Sequence, residues 1–327
     1  MHRSNTTRIA LRMFTAGIIA LAGSATAAEQ RTYSMTGAAV TIDGMSPFVA
    51  KRVSGGSGVG NIVVENAAAS GQFRKKHLAG VKYEDLSLGI TGLPSPAITA
   101  WLNQALLGAR AEKGGYVSLA DAQMNESSRL TWFQALVSKV ELPELDASSK
   151  NAGEFKLTLS PQRTARSGSG GKVTSAISNA KQKVFMTNNF KVTVDGLDLT
   201  FVNHIDPLAI RFKSSTNPVG EQRDYEKTPG TVDVSNLVFT IDAARASTLL
   251  AWYDSFVTKG ESTQEKERSG KIEYLSPDLK TVLFTVGLNG LGLVRLDLEP
   301  IEAGKETAPR LRAEMYVESV TLSSAPD

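Results

Sequence analysis

The chain has 327 residues, with 36 Lys and Arg against 33 Asp and Glu, a formal net charge of +3, three histidines and no cysteine. The missing cysteine excludes thiol catalysis, thiolate metal ligation and disulfide bonds, so the fold rests on its apolar core. Near-balanced charge gives no general electrostatic reason to hold nucleic acid or an anionic membrane.

The N-terminus is set apart from the rest. Arg3, Arg8 and Arg12 make a basic start, Met13 to Ala22 is a short apolar stretch, and Ala25-Thr26-Ala27 is an A-x-A cleavage site. This layout predicts a secretory signal peptide over 1–27, and with it a periplasmic or secreted protein. The apolar run is shorter than the roughly 20 residues a spanning helix needs, so no membrane span is expected in the mature chain. Cleavage would remove three arginines and leave 33 basic against 33 acidic residues.

The next segments are strand-like, and they occur twice. Val40-Thr41-Ile42-Asp43-Gly44 returns as Val192-Thr193-Val194-Asp195-Gly196, and Val81 to Ile90 aligns with Val232 to Ile241. Ala100-Trp101 returns as Ala251-Trp252, and all three matches lie 151 or 152 residues apart. Solenoid repeats run about 20 to 50 residues, so the offset predicts two tandem copies of a whole domain, each with its own core. β-Branched residues before Asp43-Gly44 predict a strand and turn. In the second copy, Phe190 to Val194, the turn Asp195-Gly196 and Leu197 to Val202 predict a hairpin. Ser54 to Gly60, glycine-rich, and Lys213 to Gly230, polar, are expected to be irregular loops. Each is followed by a strand, Val81–Ile90 and Val232–Ile241.

One helix is expected per copy. Ser95 can cap, Pro96 suits the first turn, and Ile98, Trp101, Leu102, Ala105 and Leu106 share one face. Leu249, Trp252, Tyr253, Phe256 and Val257 repeat that stripe, so Trp101 and Trp252 read as core anchors. Strands follow at Tyr116–Leu119, Arg129–Glu141 and Glu154–Ser160, then at Lys271–Leu275, Thr281–Val286, Leu291–Leu298 and Leu311–Leu322. The stretch 167–184, rich in Ser, Gly and Lys, reads as a linker. The fold class is therefore mainly β (α+β): two small β-barrel or sandwich domains, 28–166 and 185–327, each flanked by one α-helix.

No catalytic pattern emerges. Neither Ser54 to Gly60 nor Gly168-Ser169-Gly170-Gly171-Lys172 fits a P-loop. No G-x-S-x-G elbow exists, and His77 and His204, the two histidines of the mature chain, build no triad. The carboxylate pairs Glu141/Glu144 and Asp297/Glu299 read as surface charge. No enzyme, metal or cofactor is expected.

Five segments in order carry a resemblance. They are Val40–Gly44, Phe48–Gly55, the basic stretch Arg74–Gly80 with its strand, the Trp-bearing helix, and a late block from Arg129 through Leu142-Pro143-Glu144-Leu145-Asp146-Ala147-Ser148 to Leu159. Together, 40–166 and, more distantly, 185–324 resemble phage tail-tube proteins and the inner-tube (Hcp-like) proteins of contractile injection systems. The resemblance implies a small barrel with one helix, six to a ring, the rings stacking into a tube through paired sheet edges. With two copies per chain, three chains would give a pseudo-hexameric ring, and spike, baseplate or effector proteins would be further partners. Tube subunits of the family are cytoplasmic and single-domain, so export implies a recruited, exported ring. The alternative is a monomeric periplasmic ligand- or glycan-binding β-sandwich module with a pocket between the halves, lined by Trp and Tyr.

Overall fold

The computed structural model describes residues 37–325 apart from 66–72, 122–124, 169–170, 174–184, 219–224 and 301–307. The expected signal peptide, 1–27, lies outside the described residues.

The first half opens with β1 (Gly37–Ile42), which turns at Asp43-Gly44 and pairs with β2 (Phe48–Ala50). Gly44 supplies the left-handed φ of +76° that this turn needs. Then come β3 (Arg52–Gly55), a hairpin of β4 (Gly58–Val64) and β5 (Lys76–Tyr83), and β6 (Leu86–Thr91). Helix α1 (Pro96–Leu106) starts as expected, the Ser95 hydroxyl accepting from the Ile98 N–H at 3.4 Å. Its stripe buries Ile98, Trp101 and Leu102, and the Trp101 indole donates to the Ala111 carbonyl at 2.6 Å. The half ends with β7 (Lys113–Ala120), β8 (Glu126–Glu141), β9 (Leu145–Asp146), β10 (Glu154–Ser160) and β11 (Arg163–Gly168).

The second half runs β12 (Phe190–Val194), β13 (Val202–Ile205), a hairpin of β14 (Ala209–Pro218) and β15 (Tyr225–Val234), and β16 (Leu237–Asp242). Helix α2 (Ser247–Tyr253) continues as a π-helical turn over Asp254–Thr258. β17 (Arg268–Leu275), β18 (Val282–Leu298) and β19 (Arg310–Ser324) complete it.

The fold is mainly β, with one α-helix in each half among the described residues. The first sheet contains the order β1-β7-β8-β10-β6-β3, and the second β12-β17-β18-β19-β16-β13. Position for position these are the same path. β11 extends the role of β10, pairing with β8 from Arg163↔Phe133 to Gly168↔Ser128. No helix among the described residues is long and apolar enough to cross a membrane.

Several expectations are corrected. The two halves do not close separate cores: one cluster of buried side chains runs from Ala38 to Leu322. Phe185 shows how. Its ring meets Tyr274 edge-on at 5.3 Å, and it fills the space over Gly153, where a Cβ would lie 2.7 Å from it. The hairpin around Asp195-Gly196 does not form. The turn is present, but β12 pairs with β17, and β13 pairs with β16 and β9. Asp198 breaks the return strand by accepting from the Thr200 N–H at 3.1 Å and hydroxyl at 2.7 Å, while Leu199 is buried. Thr281–Val286 and Leu291–Leu298 are one strand, β18. Asn289-Gly290 makes no turn, Gly290 taking φ +61° within the running strand. The linker expected over 167–184 is entered by β11, which ends at Gly168, and 169–170 and 174–184 lie outside the described residues.

Candidate assembly surface

The two expected loops instead contain strand residues. Ser54–Gly60 holds the end of β3 and the start of β4, and Lys213–Gly230 holds most of β14 and β15. Their pairing is a backbone ladder, from Ile210↔Val234 to Pro218↔Tyr225 in the second half and from Gly58↔Tyr83 to Val64↔Lys76 in the first. Neither hairpin buries a full face, so no apolar alternation marks it in the sequence.

The β14–β15 hairpin does not stay in its own sheet. β14 pairs with β8 of the first half, Ala209↔Glu141, Ile210↔Val140 and Arg211↔Lys139, and Leu142 N donates to Leu208 O at 2.9 Å. It takes the edge of β8 where β7 stops, since β7 reaches only Ala135. Ile210 and Val140 are fully buried by this joint. In return β9 crosses to the second sheet, Leu145↔Ile205 and Asp146↔His204.

Side chains seal the exchange. On α1, Asn103 Nδ2 donates to Leu322 O at 2.8 Å and its Oδ1 accepts from Leu322 N at 3.3 Å, tying the helix to β19. Arg110 pairs with Glu226 at 2.6 Å on the surface. Lys227 donates to Ser160 Oγ at 2.7 Å, and Ser160 donates to Asp85 at 2.6 Å. Burial lowers the Lys227 pKa, and the Asp85 charge opposes that shift only in part.

The matching edges elsewhere have no strand partner among the described residues. The β4–β5 hairpin is a two-stranded sheet that pairs with no other strand among the described residues. Val59, Ile62, Val63, Val64 and Leu78 are exposed on it, Ile62 at 65% and Leu78 at 70%. β17 follows β18 only to Leu291, so beyond that residue this edge has no strand partner among the described residues. Val294 and Leu298 are exposed there. On α2 and its π-helical turn, Leu250 and Val257 are exposed as well. Val257 was expected on the buried stripe; the stripe in fact seats Leu249, Trp252 and Phe256, and Val257 turns outward.

The structure also gathers side chains that the sequence keeps apart. His204 Nδ1 faces Glu144 at 3.6 Å and Asp146 at 3.7 Å, while its Nε2 lies 3.1 Å from Asp206. Asp206 in turn pairs with Arg312. Glu144, Asp146 and His204 place one ligand atom each within 4.8 Å of one another. Asp146 and His204 border a 490 Å³ hollow together with Asn203, Arg310 and Arg312. Asp146 is held below the usual carboxylate range, first by the Ser148 hydroxyl and backbone N–H and then by His204. The cluster sits where β9 meets β13, so its polar contacts bridge the exchanged strands. His77 is far simpler, facing Glu65 at 3.5 Å on the surface. Of the acidic pairs, Glu141 binds Lys139 at 2.5 Å and also Lys156, and Asp297 binds Arg295 at 2.5 Å.

A binding module would need aromatic side chains lining a pocket. All three tryptophans, Trp101, Trp132 and Trp252, are buried in the core, and an 860 Å³ cleft beside β3 has neither Trp nor Tyr in its lining, whereas a 580 Å³ cleft between the β4–β5 and β14–β15 hairpins is lined by Tyr83 and Tyr225 but by no Trp.

No family model and no curated protein matches the chain. Among solved structures it is similar to the tube-terminating cap of the anti-feeding prophage, at 16% identity over 47% of this chain and 99% of that one, with a TM-score of 0.36. It is similar to a chain of the baseplate of the same prophage, at 20% identity over 41% of this chain and 91% of that one, TM-score 0.35. It is also similar to Hcp1 from Flavobacterium johnsoniae, at 10% identity over 42% of this chain and 95% of that one, TM-score 0.26.

Proposed function

We propose that this chain is a structural, non-enzymatic subunit that joins further copies of itself through its sheet edges to build a ring or tube outside the cytoplasm. The observation that carries the reading is the β4–β5 hairpin, which pairs with no other strand among the described residues and exposes five apolar side chains. Such an edge is a template for uncontrolled pairing unless a partner consumes it. Covering even half of that apolar surface is worth roughly several kcal/mol, at about 25 cal/mol per Å².

In this reading the halves are two copies of one tail-tube-like module, over 28–166 and 185–327. The common strand order and the repeated Val-x-x-Asp-Gly and Ala-Trp segments support it. The resemblance of both halves to tail-tube proteins suggests six modules around a channel, hence three chains to a ring. Spike, baseplate or effector proteins are the proposed further partners, and no cofactor is required. Export rests on the basic and apolar pattern of 1–27.

The test is direct. The mature chain is purified and followed by multi-angle light scattering and electron microscopy over a wide range of concentration. Annular particles whose mass is a multiple of the chain support the reading; a species that stays monomeric at the highest concentration overturns it.

A further inference from the structure

Resting on that self-assembly, we infer the register of the contact between chains: the β4–β5 hairpin of one chain adds to the open edge of β18 in the next, Val59 lying across from Arg295 and Gly58 from Leu296. The joint is the one the chain already makes internally, displaced by one half.

The correspondence follows from strand pairing. In the hairpins, Gly58↔Tyr83, Val59↔Lys82 and Gly60↔Val81 match Ile210↔Val234, Arg211↔Asp233 and Phe212↔Val232. Each hairpin then has an irregularity, after Asn61 and after Phe212. In the receiving strands, Lys139, Val140 and Glu141 face Thr158, Leu157 and Lys156 of β10. Arg295, Leu296 and Asp297 face Glu314, Ala313 and Arg312 of β19 in the same order. Even the surface ion pair recurs, Lys139–Glu141 on one and Arg295–Asp297 on the other. Since Arg211 pairs with Lys139 within the chain, Val59 is placed against Arg295 between chains.

Two further surfaces agree. Within the chain, the outer face of α1 is covered by the second half: Thr99 is buried and Asn103 binds the β19 backbone at Leu322. The corresponding steps on α2 and its π-helical turn are Leu250 and Asp254, and Leu250 is bare. The place of Leu322, across from Val286 on β18, is held on β11 by Arg166, across from Leu130 on β8. The same displacement that seats β4 on β18 therefore brings the β11 end of one chain, with Arg166, to the α2 face of its neighbour, with Asp254. The donor and receiving surfaces differ, so the contact is head-to-tail and closes into a ring or runs on as a filament.

A chain without cysteine makes the test clean. Val59→Cys and Arg295→Cys are combined in one chain and oxidised under assembling conditions. Arg211→Cys with Lys139→Cys, the equivalent pair inside the chain, serves as the positive control and gives an intrachain bridge. The register predicts that most of the Val59→Cys/Arg295→Cys protein runs as covalent multimers on a denaturing gel. Mixing the two single variants gives dimers only. A pair moved along the hairpin, Ile62→Cys with Arg295→Cys, cross-links at least tenfold less. If light scattering shows assembly but the predicted pair stays uncoupled, the register is wrong and self-assembly stands. If neither assembly nor coupling occurs, both fall.

Discussion

Asp278 shows how a single exposed side chain can set a loop and a pH response. Between β17 and β18, its carboxylate accepts from the Ser276 hydroxyl, from Lys280 N at 2.8 Å, and from Thr281 N at 3.1 Å and Oγ1 at 3.2 Å. This cage holds Leu279 in the left-handed region at φ +56°, a conformation non-glycine residues resist. The hydrogen bonds, Ser276 foremost, lower the Asp278 pKa from 3.8 to about 2. A carboxyl whose folded pKa lies below its unfolded one binds its proton later when folded. Its contribution to stability is therefore complete above 3.8 and disappears as the pH falls through about 2. In Asp278→Asn that part of the acid sensitivity is absent. Thermal melts at about pH 5, 3 and 2 are expected to show the variant less stable than the parent at the high end and the two converging at the low end. Parallel curves would show that the cage contributes nothing to folding.

At the level of elements, the hairpins carry the functional argument, and the course of the chain into β4 depends on Gly55. At φ +82° it ends β3 beside Asp85, whose carbonyl oxygen would lie 2.0 Å from an added Cβ. The next residue, Gly56, donates its N–H to that same oxygen at 3.1 Å. Gly55→Ala must therefore move backbone rather than a flexible side chain, and the φ is unfavourable as well. The expected cost is on the order of 2 kcal/mol, read by urea unfolding, together with loss of the multimer because β4 is swung off line. A variant with wild-type stability would show that the approach is not tight. The same elements mark what the sequence could tell. The helix stripes and the strands with buried alternate residues, such as Phe155, Leu157 and Leu159 on β10, were legible because burial leaves a period. β14 and β15 were not: Ser214, Ser215 and Thr216 are exposed, and the ladder is stabilised by backbone pairing that any sequence can make. The His204 cluster was equally silent, because its members approach one another only through the β9–β13 pairing. The split of β18 into two expected strands has another source: Gly287, Asn289 and Gly290 interrupt its apolar residues, although the strand runs on through them.

For the whole molecule, the exchange of β9 and β14 decides how the chain unfolds. Two beads on a linker would melt independently, each with the enthalpy of a domain of roughly 140 residues. Here the first sheet includes β14 of the second half, and the second sheet includes β9 of the first. Opening either half exposes Ile210 and Val140 together and leaves Leu145 and Ile205 without their strand partners. It also uncovers Phe185, which is packed against both Gly153 and Tyr274. The penalty for opening one half therefore falls on both, and the partly open state has no population to accumulate in. The monomeric chain, at concentrations where light scattering reports no assembly, is expected to give one calorimetric transition whose van't Hoff and calorimetric enthalpies agree to within about 10%. Two resolved transitions would show the halves to be energetically separate. In that case the internal joint would be too weak to serve as the pattern for the contact between chains, since a pairing that does not hold when its ends are covalently tethered would not hold between free chains at far lower effective concentration.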